Sequence, residues 1–405
     1  MRIRLIYPKW PKLANQREFH LPPHGPVVFA AAVPEHHELE FTDENVDDLD
    51  FSENVDLVCL SMMLTCQIPR GRRIASEFRA RGIPVIAGGI AAALHVEETS
   101  EFADAVVVGE VEGRVEKIFA DLEAGRLQKV YDFLDDPAPI EIVGTARRSI
   151  LNRDRYSYRK IQMPDLVHAS RGCRFDCYPC CVGYLGGRRF RPRPIDRVVE
   201  EVESIPNTKL FFVDNSLAQD REWELELFRA LRPLNRHIIS HPVEDDDEVL
   251  DAAAEAGAWW VYQAVYKDSK VIRRRILRLK ERGIFVEGTI LLGLDSHDAD
   301  SIKRLVEFLI EIELDLAEFT VLTPFPHTRC FDELEAAGRI LHYDWNRYTA
   351  GEVVYRPARM KPDELQELYH WAWNAFYADE PQAVKMSRVL RPVTIADRAR
   401  KAAAG

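Results

Sequence analysis

The chain has 405 residues, enough for two or three domains with cores of their own, and its 46% hydrophobic and 30% charged residues exclude a disordered or fibrous protein. Lys and Arg total 54 against 66 Asp and Glu, a net charge of −12, the wrong sign for a surface that docks on a phosphate backbone, so nucleic acid is not an expected partner. No apolar run reaches the ~20 residues that span a bilayer, and the start, MRIRLIYPKW, lacks the features of a signal peptide, which places the chain in the cytoplasm with no membrane span.

Residues 1–130 alternate short β-branched runs with helical stretches. RIRLIY, HELEFTD, DLVCLS, IPVIAGG and DAVVVGE read as strands, and Ile68 to Arg81 and Glu112 to Ala124 as helices between them. Such alternation builds a parallel sheet covered on both faces. Five strands predict a flavodoxin-like, Rossmann-like domain whose ligand lies beyond the carboxyl ends of the strands. Those ends carry Ser61 to Thr65, the pair Gly88 and Gly89, and the pair Gly109 and Glu110. Small residues there either admit a bulky ligand close to the backbone or serve tight turns.

Residues 131–163 show no sustained period and read as a linker wrapping between domains. Over 164–328 the alternation resumes, with strands near Leu166 to Ser170, Leu210 to Val213, His237 to His241, Trp259 to Val265, Phe285 to Leu292 and Ala317 to Leu322. Six βα units predict a partial (β/α)6 barrel with its chemistry in the loops after the strands. Residues 329–405 form a helical C-terminal region. In it Lys361 to Tyr377 carries Tyr369, Trp373 and Phe376 at i, i+4 and i+7, the spacing of a core-packing stripe, and the final RARKAAAG reads as frayed.

Seven cysteines are too few for a disulfide framework, yet four fall within nine positions, Cys173 to Cys181, on the loop after the first barrel strand. Three thiolates at spacings of four and three can cover one face of an iron–sulfur cube and leave the fourth iron without a protein ligand. Zinc is disfavoured, because the vicinal Cys180 and Cys181 would chelate one ion poorly. Cys181 is open to three readings: a redox or radical partner, an alternative cluster ligand, or a small apolar side chain under the loop, the last being favoured. Arg188, Arg189, Arg191 and Arg193 follow directly, as a grip for an anion or, preferably, as a solvated face.

Cys173-x3-Cys177-x2-Cys180 resembles the signature of the radical S-adenosylmethionine (SAM) superfamily. The longer text, SRGCRFDCYPC followed by GGRRFRPRP, FFVDNS, GTILLGLD, LTPFPHTR and GRILHYDW, looks like the branch carrying an N-terminal cobalamin-binding domain, and VDLVCLSMM, IPVIAGGI and DAVVVGEVEG are similar to strands of that domain. The resemblance covers nearly the whole chain. It implies that Cys173, Cys177 and Cys180 ligate a 4Fe–4S cluster whose open iron is chelated by SAM, which one electron cleaves to a 5′-deoxyadenosyl radical. It also implies SAM contacts at Tyr178, Asp214, Asn215, Gln263, Gly288, Thr289, Gly293 and Pro324, and cobalamin contacts at Ser61, Thr65, Gly88, Gly89, Gly109 and Glu110. An electron donor such as flavodoxin or ferredoxin is implied as partner. Gln263 stands where the family usually carries a Gly-x-Glu-Ser type segment and can still hydrogen-bond a ribose. No Asp-x-His-x-x-Gly is present, so that motif supplies no histidine to cobalt.

The expected activity is that of a cobalamin-dependent radical SAM methyltransferase acting on an unactivated carbon of a small metabolite or natural-product intermediate. Two alternatives stand beside it: a radical SAM cyclase, rearrangement or oxidation enzyme, and a non-catalytic protein that binds cluster and corrinoid. An RNA-modifying methylthiotransferase lacks the basic appended module it would need.

Overall fold

The computed structural model describes residues 1–13 and 20–404. Near-continuous apolar runs such as Leu57 to Leu60 are buried on both faces, as central parallel strands must be. They assemble β1 (Arg2–Tyr7), β2 (Glu38–Asp43), β3 (Leu57–Ser61), β4 (Val85–Gly88), β5 (Ala105–Val108) and β6 (Val130–Asp132) into one parallel sheet of order β2-β1-β3-β4-β5-β6. The strand order reverses between β1 and β3, the place where an open sheet of this kind leaves a crevice at its carboxyl edge. The sixth strand was not expected. Its three residues are too short to show a period, and it is fixed by tertiary contacts: Tyr131 is buried and its hydroxyl donates to Asp121 Oδ2 at 3.0 Å.

The stretch after β6 is held to its surroundings rather than loose. Arg147 N donates to Val27 O at 2.9 Å, Arg155 to Val46 O at 2.6 Å and the Tyr156 hydroxyl to Asp43 Oδ2 at 3.2 Å.

The second sheet contains six parallel strands, Asp165–Val167, Lys209–Phe212, His237–Ser240, Ala258–Val265, Phe285–Leu292 and Leu316–Val321, each paired with the next in sequence. The first and last do not pair, so the barrel is open. Alternate residues point outward beneath helices or inward to the lumen. The outward set, including Phe212, Val261, Val286, Ile290 and Phe319, belongs to the largest core of the molecule. Phe319 meets Trp373 at 5.5 Å and Phe376 at 6.1 Å between ring centroids, so the stripe on helix Pro362–Phe376 packs the core as its spacing predicts.

At the amino ends of the strands a further core closes the lumen. Phe211, Ile239 and Trp260 pack there with Tyr158 and with Leu390 and Val393 of the last helix, and Trp259 Nε1 donates to Val389 O at 2.9 Å. That helix runs Gln382–Ala404, so the described part of the segment expected to fray is helical; Lys209 Nζ meets Asp397 at 2.5 Å and Arg400 donates to Asn235 O at 2.7 Å. Among the described residues no helix is long and apolar enough to cross a membrane.

Candidate active site

The cysteine loop begins at Gly172, whose φ of +72° and close approach to the Arg189 and Gly186 carbonyls leave no room for a Cβ. Cys173 is buried and Cys177 exposed. Cys180 N donates to Cys177 O at 2.8 Å, and Val182 N points at Cys180 Sγ from 3.4 Å, a contact that favours thiolate. Burial raises the Cys173 thiol, and Cys177 adds to the rise; burial also raises Cys180, with Cys177 and Cys173 next among the raising neighbours. The three thiols therefore sense one another. Cys181 interacts with Cys180 alone among them, and burial first, then Cys180, pushes it up to about 11. No three His, Cys, Asp or Glu among the described residues converge tightly enough for a single ion. A trio of mutually interacting thiols on one loop suits instead a polynuclear group that bonds each of them through a different iron.

The loop is held from behind by the residues that follow the second barrel strand. Asp214 Oδ2 accepts from Ala169 N at 2.9 Å and Oδ1 accepts from the Ser170 hydroxyl, while Asn215 Nδ2 reaches Gly172 O at 3.4 Å. Gln219 Oε1 accepts from Arg174 N at 2.8 Å. Both Asp214 oxygens are thus engaged by protein, so its role is to carry the loop rather than to offer a free carboxylate to SAM. Tyr178 is likewise committed: Arg329 lies over its ring at 5.3 Å and its hydroxyl is directed at Cys330. Tyr184 stacks on His327 at 4.5 Å and 6°, which ties the cysteine loop to the turn that carries the buried Pro324.

The other residues of the expected SAM set divide by strand face. Thr289 is half-buried and points into the lumen with Ala264, its register partner. Gln263 has the opposite parity, shared with Val261 and Val265. It is buried, its Nε2 donates to the Ala264 carbonyl at 3.0 Å and its Oε1 has no partner, so a ribose in the lumen is out of its direction. Gly288 also faces outward, where a Cβ would stand 2.7 Å from Leu314 Cδ2. Gly293, at φ +89°, is required by the Tyr355 ring packed on it, and the Tyr355 hydroxyl donates to its carbonyl.

Across from the cysteine loop stands the carboxyl edge of the first sheet. Ser61 and Gly88 are half-buried there, Gly89 and Gly109 exposed, and the apolar Met63 and Ile90 are 47% and 43% exposed beside them. That edge is an apolar ledge suited to a large planar ligand. Gly89 (φ +94°) and Gly109 (φ +89°) are demanded by the protein itself, since a Cβ would meet Met62 O at 2.5 Å and Phe133 C at 2.9 Å. Thr65 lies under the ledge, not on it: it is buried and its hydroxyl pairs with His95 Nε2 at 3.1 Å. Burial pushes His95 down to about 4, so it is a neutral core residue, edge-on to Trp345 at 4.4 Å. Glu110 is taken by Arg191 in an ion pair, and Arg171 pairs with Glu112 at 2.9 Å. Arg193 pairs with Glu201 and Arg188 with Asp176, at 2.7 and 2.9 Å, so these members of the basic run serve internal bonds.

No protein-family model matches the chain. Bacteriochlorophyllide d C-8(2)-methyltransferase of Chlorobaculum tepidum is 25% identical, over 85% of this chain and 84% of that protein. The radical S-adenosylmethionine methyltransferase TsrM of Kitasatospora setae, solved with cobalamin and a 4Fe–4S cluster bound, superposes with a TM-score of 0.68 over 93% of this chain and 90% of that one, at 17% identity. The chain shares the fold of that enzyme. A second structure of this fold, the cobalamin-dependent S-adenosylmethionine radical enzyme OxsB with aqua-cobalamin and S-adenosylmethionine bound, superposes with a TM-score of 0.66 over 91% of this chain and 66% of that one, at 12% identity.

Within this fold the sequence pattern left one group of residues unremarked, those lining the lumen below the cysteine loop. Trp260, Tyr262, Glu287 and Glu318 all take inward positions. Their signal was a single carboxylic acid at matching parity in each of two adjacent apolar strands, FVEGTILL and LAEFTV.

Proposed function

We propose that the protein is a cobalamin-dependent radical SAM methyltransferase of the cytoplasm that alkylates an unactivated carbon of a small molecule. The observation that carries the reading is the juxtaposition of two sites by paired charges: Arg171 and Arg191 flank the three-cysteine loop and bind Glu112 and Glu110 on the edge of the first sheet. Bound there, the cluster with SAM supplies a carbon radical and the cobalamin supplies a transferable methyl group. Cys173, Cys177 and Cys180 hold the cluster; Asp214 and Asn215 fix their loop; Thr289 and Pro324 stand on the SAM side of the lumen. The ledge of Ser61, Gly88, Gly89 and Gly109 would receive the corrin. The electron comes from a donor such as flavodoxin or ferredoxin. The curated relative, a methyltransferase of a bacteriochlorophyllide, supports transfer of methyl to carbon.

The test is anaerobic turnover with reductant, in which 5′-deoxyadenosine and S-adenosylhomocysteine are quantified together. Division of radical initiation from methyl supply requires the two in roughly equal amounts per product. Deoxyadenosine with an unmethylated product would replace the reading by a cyclase or rearrangement enzyme, and no deoxyadenosine under any reductant would leave a binding protein.

A further inference from the structure

A groove of about 450 Å³ lies at the closed end of the barrel, away from the cysteine loop and the ledge. It runs between the hairpin of strands Ser157–Tyr158 and Ile161–Gln162 and the last helix, Gln382–Ala404. Tyr158, Ile161 and Leu390 give it an apolar floor, and Arg391, Ile395 and Arg398 stand along the helical wall. Positions 384, 391, 395 and 398 recur at intervals of seven, four and three, so they share one stripe of that helix. Val384 is 51% and Ile395 56% exposed, and Arg391 and Arg398 are exposed between and beyond them. Neither arginine forms an ion pair or hydrogen bond with a described residue, and Lys160, exposed at the turn of the hairpin, forms none either. Among the described residues no Asp or Glu lines the groove. On a chain of net charge −12, this face is a local reversal of sign beside exposed aliphatic side chains.

We propose that this face docks on an anionic lipid bilayer, with Arg391, Arg398 and Lys160 at the level of the phosphates and Ile395 and Val384 entering the headgroup boundary. Aliphatic side chains set between cations on one exposed helical stripe are the composition of an interfacial surface, where buried apolar area and attraction to anionic lipid add. A specific protein or peptide would instead be recognised by hydrogen bonds of fixed direction. The hydroxyls of this wall are not available for that, because Ser387 Oγ donates to Ala383 O at 2.7 Å and Thr394 Oγ1 to Leu390 O at 2.8 Å, both back to their own helix. Arg388, one turn before Arg391, is engaged by Glu380. What remains is positive charge without fixed direction, which suits a fluid array of phosphates better than a shaped anion. The acidic remainder of the chain repels such a surface, so the groove also sets the orientation. The amino ends of the barrel strands face the lipid, and the cysteine loop and the ledge, at the carboxyl ends, stay clear of it. Docking of this kind is peripheral and needs no membrane-spanning helix, and none is found among the described residues.

Co-sedimentation of the full-length protein with vesicles decides it, using phosphatidylglycerol mixed equally with phosphatidylcholine against phosphatidylcholine alone. At about 0.1 M salt, where charges still act over about 10 Å, the anionic vesicles should bind at least about tenfold more tightly. Arg391→Gln and Arg398→Gln should each weaken that binding by about fivefold, the equivalent of one cation near the surface, and Ile395→Ser should weaken it as well. Arg73→Gln supplies the control. Arg73 is an equally exposed arginine without an ion pair among the described residues, on helix Ile68–Ala80 of the first domain, and its loss should leave partition unchanged. All four positions are on the surface, and melting temperatures verify that each variant is folded. Equal partition onto both vesicle types, no partition at all, or an anionic preference that survives the double variant of Arg391 and Arg398 would overturn the proposal. Binding of polyglutamate with none to vesicles would also overturn it and assign the groove to an acidic protein. The measurement involves neither cluster nor turnover, so its outcome is independent of the methyltransferase reading.

Discussion

Asp214 Oδ2 accepts the backbone N–H of Ala169 at 2.9 Å, a bond that joins the end of the second barrel strand to the residue leading into the cysteine loop 45 positions earlier. Burial pushes this carboxyl up to about 6, against the opposing hydrogen bonds from Ala169 and Ser170. Since the unfolded chain titrates near 3.8, the stability from this group is complete below that pH and is lost as pH rises through about 6. Asp214→Asn retains an acceptor for Ala169 and does not ionise. Its stability relative to the wild-type apoprotein is expected to grow by up to about 3 kcal/mol between about pH 4 and pH 7. Denaturant unfolding across that range measures it, and a difference independent of pH would show that the carboxyl is not held in this environment.

Iron content tests the proposed ligand set. Cys173→Ala, Cys177→Ala and Cys180→Ala should each remove most iron after anaerobic reconstitution, and Cys181→Ala little, because Cys181 lies outside the mutually interacting trio. Iron retained without Cys180 and lost without Cys181 would reassign the third ligand.

How much of this could be read in the sequence follows from the range of each interaction. The cysteine loop was legible because its donors lie within nine positions, and most strands because they are apolar runs, the three-residue β6 excepted. Direction within a strand was not. AWWVYQAV is buried along most of its length and shows no apolar–polar alternation, so the sequence did not reveal that Tyr262 faces the lumen and Gln263 the helices. Glu110 read as a strand-end residue and Glu112 as the start of a helical stretch, and only the fold showed that arginines 81 and 59 positions away had claimed them. The two lumen carboxyls were hidden for the same reason: each is alone in its own strand, and only strand pairing shows that they share a face.

The ion pair of Glu110 and Arg191 is about four-fifths shielded on each side, and it bridges the first sheet to the cysteine loop. Pairs of this kind couple more strongly than surface ones, so a double-mutant cycle with Glu110→Gln and Arg191→Met should give a coupling energy of roughly 1–3 kcal/mol. Urea unfolding of the four proteins supplies the cycle. Additive single effects would mean that the two side chains are held by their other neighbours, among them the Ala138 carbonyl that Arg191 also reaches at 3.1 Å.

Gln263 gives the sharpest separation between a role inferred from motif position and one inferred from direction. As a ribose contact its removal would weaken SAM binding. As an outward-facing side chain among Val261 and Val265, with a buried Oε1 that has no partner, it costs stability instead. An unsatisfied buried acceptor is worth about 1–3 kcal/mol, so Gln263→Met, which keeps the volume and discards the polar atoms, should stabilise the protein by a fraction of that, on the order of 1 kcal/mol. Because the side chain does not enter the lumen, reductive cleavage of SAM should stay within about twofold of wild type, less than the tenfold that 1.4 kcal/mol of binding energy represents. Thr289→Val, on the inward face of the next strand, supplies the contrast and should weaken SAM binding measurably. Deoxyadenosine formation and equilibrium binding of SAM, measured side by side for the two variants, decide between the assignments. A large loss at Gln263 with none at Thr289 would mean that the strand turns its other face to the cofactor.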